Sequence, residues 1–523
     1  MPSGNKHLVT VPVAMWGHIR PLLHLILNLL RMHPKLRVTL LLTPSVTSRV
    51  TQEMENTQGF DTRDMDRLQL VNCVQQALRA EGQTLAELAE AASFTTALPV
   101  VMSELFNGNA EVNGNVNKFE GVKPTVIVYD LCQHMVVSIV KQVAMFLGVS
   151  LPPLLMFLPC NAAAAFHMFA SERNNGVWAT VIRDTQEEIA KGATPVEVFA
   201  KHSYRNTGKA VPLPGLPTKF DYEWWPHLAT CPLQPEMTMA ILPSYHALQD
   251  SATKGVILSS AAELEPVAVE ALEAEIGKKV YMAGPQFPGV MWEGHSTIQT
   301  HSADDERVVR FLDEMKIKHG SRSVCYLSFG SAFFPLLRPE LVRYIVHTLR
   351  QTDTPFVFAY ASGIGPVPED LLRECEEVEN GCLVKFAPQW AVLNHEATIF
   401  FITHCGSNST GEAILAEVPI VSIPFFGDQA QYAALLTEVL HVGINLKQTK
   451  TFQHPDLYNT LYDGTVVVGT EAAVKKEMVE VWGRMKGKEG EEMRIRMKKV
   501  RETMSRSRGM GLSLLSMKEL GCI

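Results

Sequence analysis

The 523-residue chain lacks a disulfide framework. Its nine cysteines are an odd number, and no two of them stand in a C-x-x-C spacing. That usage suits a reducing compartment. There is no strong basic run, and a formal net charge of −8 argues against a nucleic-acid partner. No apolar run reaches membrane-spanning length, so no transmembrane segment is expected. The start, MPSGNKHLVTVPVAMWGH, passes directly into a strand-like segment. It has neither the apolar core nor the small-residue cleavage site of a signal peptide, and the expected location is cytoplasmic. A dinucleotide fingerprint is missing too. The first turn offers only Gly17 where a nicotinamide enzyme would show G-x-G-x-x-G, which makes a dehydrogenase the weakest reading.

What is present is ordinary globular composition, 46% hydrophobic and 20% charged, in a chain too long for one typical core. Strand-like and helix-like segments alternate through both halves, the pattern of parallel α/β sheets. Strands are expected at His7–Met15, Val38–Thr43, Pro124–Tyr129, from Gly148, in the run opening at Gly255 and at Val280. A second set is expected at Ser323–Leu327, Pro355–Tyr360, Cys382–Phe386, Thr398–Thr403 and Ile420–Ile423. Residues 51–118 read as largely helical with polar turns, and 171–240 as loops. Between the halves, Gln286 to Asp305 turns to Gly, Ser, Thr, His and acids without periodicity, as linkers do. The expected division is residues 1–286, a linker at 287–305, a second domain at 306–490 and a terminal helix at 491–523.

The most informative stretch runs from Phe386 to Gln429, FAPQWAVLNHEATIFFITHCGSNSTGEAILAEVPIVSIPFFGDQ. An apolar strand, Thr398 to Thr403, stops at the polar cluster His404-Cys405-Gly406-Ser407-Asn408-Ser409, and a helical pattern follows. A helix N-terminus attracts phosphate. Gly406 allows close backbone approach, and Asn408 and Ser409 suit a cap or an anion. Pro424 and Gly427 then close the next strand and present Asp428 and Gln429. Strand–loop–helix chemistry of this kind is common, and alone it distinguishes a phosphate site poorly from a capped helix.

The whole stretch, with its A-P-Q, H-C-G-x-N-S, Glu412 and closing D-Q, resembles the donor-binding signature of the plant-type family 1 UDP-glycosyltransferases. Other segments carry the resemblance from about residue 7 to the end. W-G-H-I-R-P-L-L-H-L, around His18, is similar to the family's G-H-x-x-P-x-L. V-I-V-Y-D followed by L-G-V-S-L-P, around Asp130, resembles its strand–Asp–helix unit. V-C-Y-L-S-F-G-S resembles the donor loop that ends at Ser331. The resemblance implies the GT-B fold, two Rossmann-like doubly wound α/β domains facing across a cleft. The first would bind the acceptor and the second the UDP-sugar, and the terminal helix would return to the first.

The same resemblance implies roles for single residues. His18 is the base that takes the acceptor's proton, and Asp130 orients it. Phe386 stands where the family stacks a Trp on uracil, with Ala387 and Gln389 flanking the base. Glu412 takes the ribose hydroxyls. His404, Gly406, Asn408, Ser409 and Ser331 surround the diphosphate, and Asp428 and Gln429 the sugar. A closing Gln goes with glucose. Ser407, however, replaces a Trp that neighbours the donor sugar, and Phe386 is smaller than Trp. The expected reaction is inverting, metal-independent transfer from a UDP-sugar, glucose favoured, to a hydroxyl of a small lipophilic acceptor in secondary metabolism. It needs no cofactor, and the chain is read as a monomer. Metal-dependent transferases hold their cation with Asp-x-Asp, and no such motif is expected here. The alternatives are a non-catalytic nucleotide-sugar-binding protein, or another GT-B enzyme such as a nucleotide-sugar epimerase. A base at His18 with an acid at Asp130 weighs against the first.

Overall fold

The computed structural model describes residues 6–57, 62–74, 83–202, 207–224, 239–293, 302–331, 334–363, 365–376, 378–450 and 459–523. The chain forms two compact units. The first comprises Met1–Ile182, Glu236–Val290 and Arg506–Ile523, and the second Arg183–Pro235 and Met291–Ser505. Arg183–Pro235 thus groups with the second unit, although its sequence position suggested the first.

The first unit is built on seven parallel strands: β1 (Lys6–Val11), β2 (Leu36–Leu42), β3 (Leu68–Asn72), β4 (Val126–Asp130), β5 (Leu154–Leu158), β6 (Thr253–Leu258) and β7 (Lys279–Met282). They lie in the order β7-β6-β5-β4-β1-β2-β3. β5 is apolar at every position, and the other strands are largely apolar, as suits strands covered on both faces. Helix α1 (Trp16–Met32) joins β1 to β2, and α2 (Val136–Leu147) joins β4 to β5. Leu22, Leu25, Ile26 and Leu29 of α1 pack on Val38, Leu40, Val128 and Leu155 of the sheet. Each such fully buried side chain contributes on the order of 1.5–3 kcal/mol.

Three local expectations are corrected here. Residues 51–118 do contain helices at Gln83–Asn107 and elsewhere, but Leu68–Asn72 is an edge strand paired with β2. Its five residues are too few to show a period; pairing with β2 makes it a strand. Gly148 does not open a strand. It ends α2 in the left-handed conformation at φ +64°, a helix stop that glycine makes without strain, and β5 begins only at Leu154. The opening strand ends at Val11, before the turn at Pro12–Met15.

The second unit has six parallel strands: β8 (Val324–Ser328), β9 (Phe356–Ala359), β10 (Gly381–Val384), β11 (Thr398–Thr403), β12 (Ile420–Ser422) and β13 (Gly443–Asn445). Their order is β10-β9-β8-β11-β12-β13. Five match the second set expected from sequence to within two residues, and β13 is additional. The helices that bear on function are α3 (Glu340–Gln351), α4 (Gln389–Asn394), α5 (Ser407–Leu415), α6 (Gln429–Ala434) and α7 (Glu471–Lys486). Trp482 of α7 is fully buried, stacks on Phe400 at 5.5 Å and donates its Nε1 proton to Thr348 Oγ1 at 3.0 Å. The one polar atom of a large apolar ring is thereby satisfied.

The chain ends in α8 (Lys488–Met510) and α9 (Leu512–Leu520). Met517 and Leu520 of α9 enter the core of the first unit. His33 Nε2 lies 3.1 Å from the Met517 carbonyl. The contact is tight enough that a Cβ on Gly521 would lie 2.1 Å from His33 Cδ2. Among the described residues no helix is long and apolar enough to cross a membrane, and the eight cysteines described are free thiols.

Candidate functional site

In the first sheet β1 lies between β2 and β4. The connections leave β1 in opposite directions, so the ends of β1 and β4 flank the crevice where open α/β sheets bind ligands. Both singled-out residues stand there. His18 lies in the first turn of α1, which begins at Trp16 rather than at Pro21. Pro21 sits within the helix and costs it the bond to the Gly17 carbonyl. Asp130 is the last residue of β4 and is fully buried. His18 Nδ1 and Asp130 Oδ2 are 2.8 Å apart. The other carboxylate oxygen, Oδ1, accepts the Cys132 backbone N–H at 2.9 Å. A carboxylate only accepts, so the His18 proton belongs on Nδ1 and Nε2 keeps its lone pair. Cys132 completes this corner. Burial, and after it the Asp130 charge, push its thiol up. Among the described residues His18, Asp130 and Cys132 form the one group whose donor atoms could hold a metal ion, all within 4.8 Å of one another. His24, one turn further along α1, is packed: it is buried and bonded to Glu53 Oε1 at 2.8 Å.

The second sheet repeats the reversal at β8, which lies between β9 and β11. The turn after β8 carries Gly330 and the exposed Ser331, and the loop after β11 carries His404. Helix α5 follows with Gly406 at its N-cap and no side-chain cap. This corrects the capping expectation: Asn408 and Ser409 lie inside the first turn, and no side chain makes a cap hydrogen bond at Gly406. Its first N–H groups have no acceptor within the helix, which suits an anion. Glu412, one turn on, is buried and hydrogen-bonded to Gln389 Nε2 of α4; the same nitrogen donates to Ser409 Oγ at 3.3 Å. Ala387 is half-buried before α4, and Phe386 is 51% exposed.

At the start of α6, Asp428 is half-buried and Gln429 is buried. Gln429 Oε1 accepts the backbone N–H groups of Phe425 and Phe426, at 2.7 and 3.0 Å. This side-chain oxygen therefore holds the turn that closes β12. Sequence reasoning missed Tyr432. Its hydroxyl lies 3.1 Å from Ser407 Oγ, joining the first turns of α5 and α6. The small Ser407 was visible in the sequence, but the partner twenty-five residues on was not.

Sequence reasoning also gave Gly406 and Gly330 only part of their purpose. His404 is packed between them. A Cβ on Gly406 would lie 2.5 Å from His404 Nε2, and one on Gly330 2.8 Å from His404 Cε1. Burial lowers the His404 pKa to about 4, while a hydrogen bond to the Ser328 backbone pulls the other way. The ring is therefore neutral at pH 7, and any contribution to a phosphate is a hydrogen bond rather than a charge. Gly330 also has φ +81°, a conformation that side chains strain to adopt. Gly330→Ala is expected to cost about 1–3 kcal/mol of stability and to weaken UDP binding by displacing His404. Urea denaturation and UDP titration of the same variant measure both.

Trp224 is buried and donates its indole N–H to the Val211 carbonyl at 3.3 Å, a packing role; Trp225 lies outside the described residues. An Asp-x-Asp spacing does occur in the first unit, at Asp64-Met65-Asp66, but Asp64 accepts from Arg67 Nη2 at 2.5 Å.

Comparison with known proteins fits this arrangement. Residues 285–468 match the family model described as UDP-glucoronosyl and UDP-glucosyl transferase. Over that segment the chain is similar to the UDP-glycosyltransferases. Among its relatives, a UDP-glycosyltransferase (eriJ) of Hericium erinaceus is 22% identical over 86% of this chain and 85% of its own length. A flavonol 3-O-glucosyltransferase of Actinidia chinensis is 32% identical over 36% of this chain and 38% of its own. The chain spans 38–53% of the length of the plant relatives it matches in this way. In fold, the chain is similar to a UGT transferase of Siraitia grosvenorii solved in complex with UDP. That likeness has a TM-score of 0.66 at 19% identity and covers 99% of both chains. The fold is GT-B.

Proposed function

We propose that this protein transfers a sugar, glucose favoured, from a UDP-sugar to a hydroxyl of a small lipophilic acceptor, with inversion and without a metal ion. The observation that carries the reading is the His18–Asp130 pair at the reversal point of the first sheet, 2.8 Å apart. A hydroxyl is a weak nucleophile, and a base must remove its proton as attack proceeds. With Nδ1–H held by Asp130, His18 Nε2 accepts that proton, and the carboxylate stabilises the imidazolium that forms. The oxygen attacks the anomeric carbon from the face opposite UDP, which inverts the centre.

The leaving diphosphate gains charge. The N-terminus of α5 and the neutral His404 ring, with Ser331, would supply hydrogen bonds to it without a cation. Glu412 would accept from the ribose hydroxyls with Gln389 beside it, and Phe386 would stack on the uracil. Its exposure gives it room to do so. Asp428, Gln429 and Ser407 would hold the sugar. The relatives support this reading: the Actinidia protein is a flavonol 3-O-glucosyltransferase by name. Phytolacca americana UGT2, of similar fold, was solved with UDP-2fluoro-glucose and pterostilbene.

Screening UDP-glucose beside other UDP-sugars against phenols and terpenoid alcohols, with products weighed by mass spectrometry, tests the proposal. Mass gain of one hexose, with the β-anomer formed from an α-linked donor, is the expected product. UDP binding without transfer to any acceptor would leave a binding protein, and a changed sugar nucleotide without acceptor would indicate an epimerase. A finer expectation concerns the sugar. Tyr432→Phe removes the polar partner of Ser407, and should raise KM for the UDP-sugar by about 3–10-fold while the Kd for UDP stays unchanged. An equal loss for UDP would assign Tyr432 to the nucleotide or to the fold.

A further inference from the structure

The donor set beside the proposed base is unusual in its chemistry. His18 contributes an imidazole nitrogen, Asp130 a carboxylate and Cys132 a sulfur, all within 4.8 Å of one another. The carboxylate is fully buried, whereas the side chain of His18 is 20% exposed and Cys132 is half-buried. The corner is thus anchored inside and reachable from solvent. Sulfur, imidazole and one carboxylate are the ligands of a borderline-soft cation, and three such ligands with an open fourth position make a zinc-type site. Magnesium and calcium need all-oxygen shells with more ligands, and this corner cannot provide them.

The distances are near what such an ion needs. Zinc with N and O ligands at about 2.0–2.2 Å and S at about 2.3 Å holds its donors roughly 3.3–3.7 Å apart. The His18–Asp130 edge, now 2.8 Å, must open by about half an ångström. The widest edge must close by about one ångström.

We infer that His18, Asp130 and Cys132 form a site for one thiophilic divalent cation, of the zinc class, whose occupancy switches the base off. The proton accounting gives the reason. Binding the ion requires the thiolate, so the Cys132 proton leaves to solvent. The ion takes Nδ1, and the proton displaced from there relocates to Nε2, since a neutral imidazole metallated at one nitrogen carries its proton on the other. One proton is released overall. Nε2 then has no lone pair with which to accept the acceptor's proton. Asp130 and the thiolate balance the charge of the ion.

Inhibition rests on the function proposed above, whereas binding does not, and the experiment separates them. Cd2+ is titrated into the full-length protein and its variants, and the ultraviolet sulfur-to-cadmium absorption is followed beside transfer activity. Wild type should bind one Cd2+ per chain with a band that Cys132→Ala and His18→Ala both lose. Zn2+ should inhibit transfer reversibly by chelator, without changing the Kd for UDP. In Cys132→Ala, which keeps the base, the half-inhibitory Zn2+ concentration should rise at least ten-fold. Cys132→Ser, which retains a donor toward Asp130, guards against misfolding and should show the same resistance. A cadmium band unchanged in Cys132→Ala, or equal sensitivity to Zn2+, would overturn the inference. A band lost in both variants from a protein that transfers no sugar would keep the site and remove the proposed function.

Discussion

His18→Ala should reduce sugar transfer by about 10²–10⁴-fold, the usual worth of a positioned base, while the Kd for UDP stays within about two-fold of wild type. The split follows from where the residue stands. His18 lies in the first unit, on α1, and the residues assigned to the nucleotide lie in the second. Its loss removes a proton acceptor and leaves the donor-binding groups intact. Initial rates at saturating UDP-sugar, beside calorimetric titration with UDP, make the comparison. Asp130→Asn should fall in the same direction, because an amide can present its N–H to Nδ1 and so stabilise the wrong tautomer. Since Asp130 also accepts the Cys132 backbone N–H, its thermal stability should be measured alongside. Loss of UDP affinity in His18→Ala would remove it from the acceptor side.

The second large effect is expected at Glu412. Glu412→Ala should weaken UDP binding by about 100-fold, or close to 3 kcal/mol, the value of hydrogen bonds made by a buried charged acceptor. Glu412 is 2% exposed and bonds Gln389. Removing it deletes the ribose acceptor and frees the side chain proposed to flank the base. Glu412→Gln keeps the volume and one acceptor oxygen, so it should lose less. Uridine titration is a sharper test than UDP, because it isolates the ribose and base from the diphosphate. Equal affinity for uridine in wild type and Glu412→Ala would end the ribose assignment.

The elements that could be read from sequence share one property: their local pattern and their place in the sheet agree. Thr398–Thr403 is β-branched or aromatic at every position, and it is a central strand buried on both faces. The α1 leucines keep helical spacing, and they pack on the sheet. Where local pattern was silent, the assignment failed. Leu68–Asn72 and Gly443–Asn445 are short strands at the outer edges of their sheets. Neither is long enough to display a period, and pairing with a neighbour is what makes each a strand. Gly148 signalled a break correctly, but glycine cannot say whether the break ends a helix or begins a strand.

The sequence by itself determined the fold class, the two sets of parallel strands, and a polar cluster opening a helix after an apolar strand. These follow from periodicity, chain length and the chemistry of single side chains, all properties of neighbours along the chain. Only the tertiary structure decided that His18 and Asp130, 112 residues apart, meet at 2.8 Å. It alone showed that Cys132 joins them, that two glycines close around His404, and that Tyr432 meets Ser407. The His18–Asp130 and His404–Gly330 contacts depend on strand order. Placing β1 beside β4, and β8 beside β11, brings together chain segments that no sequence window holds.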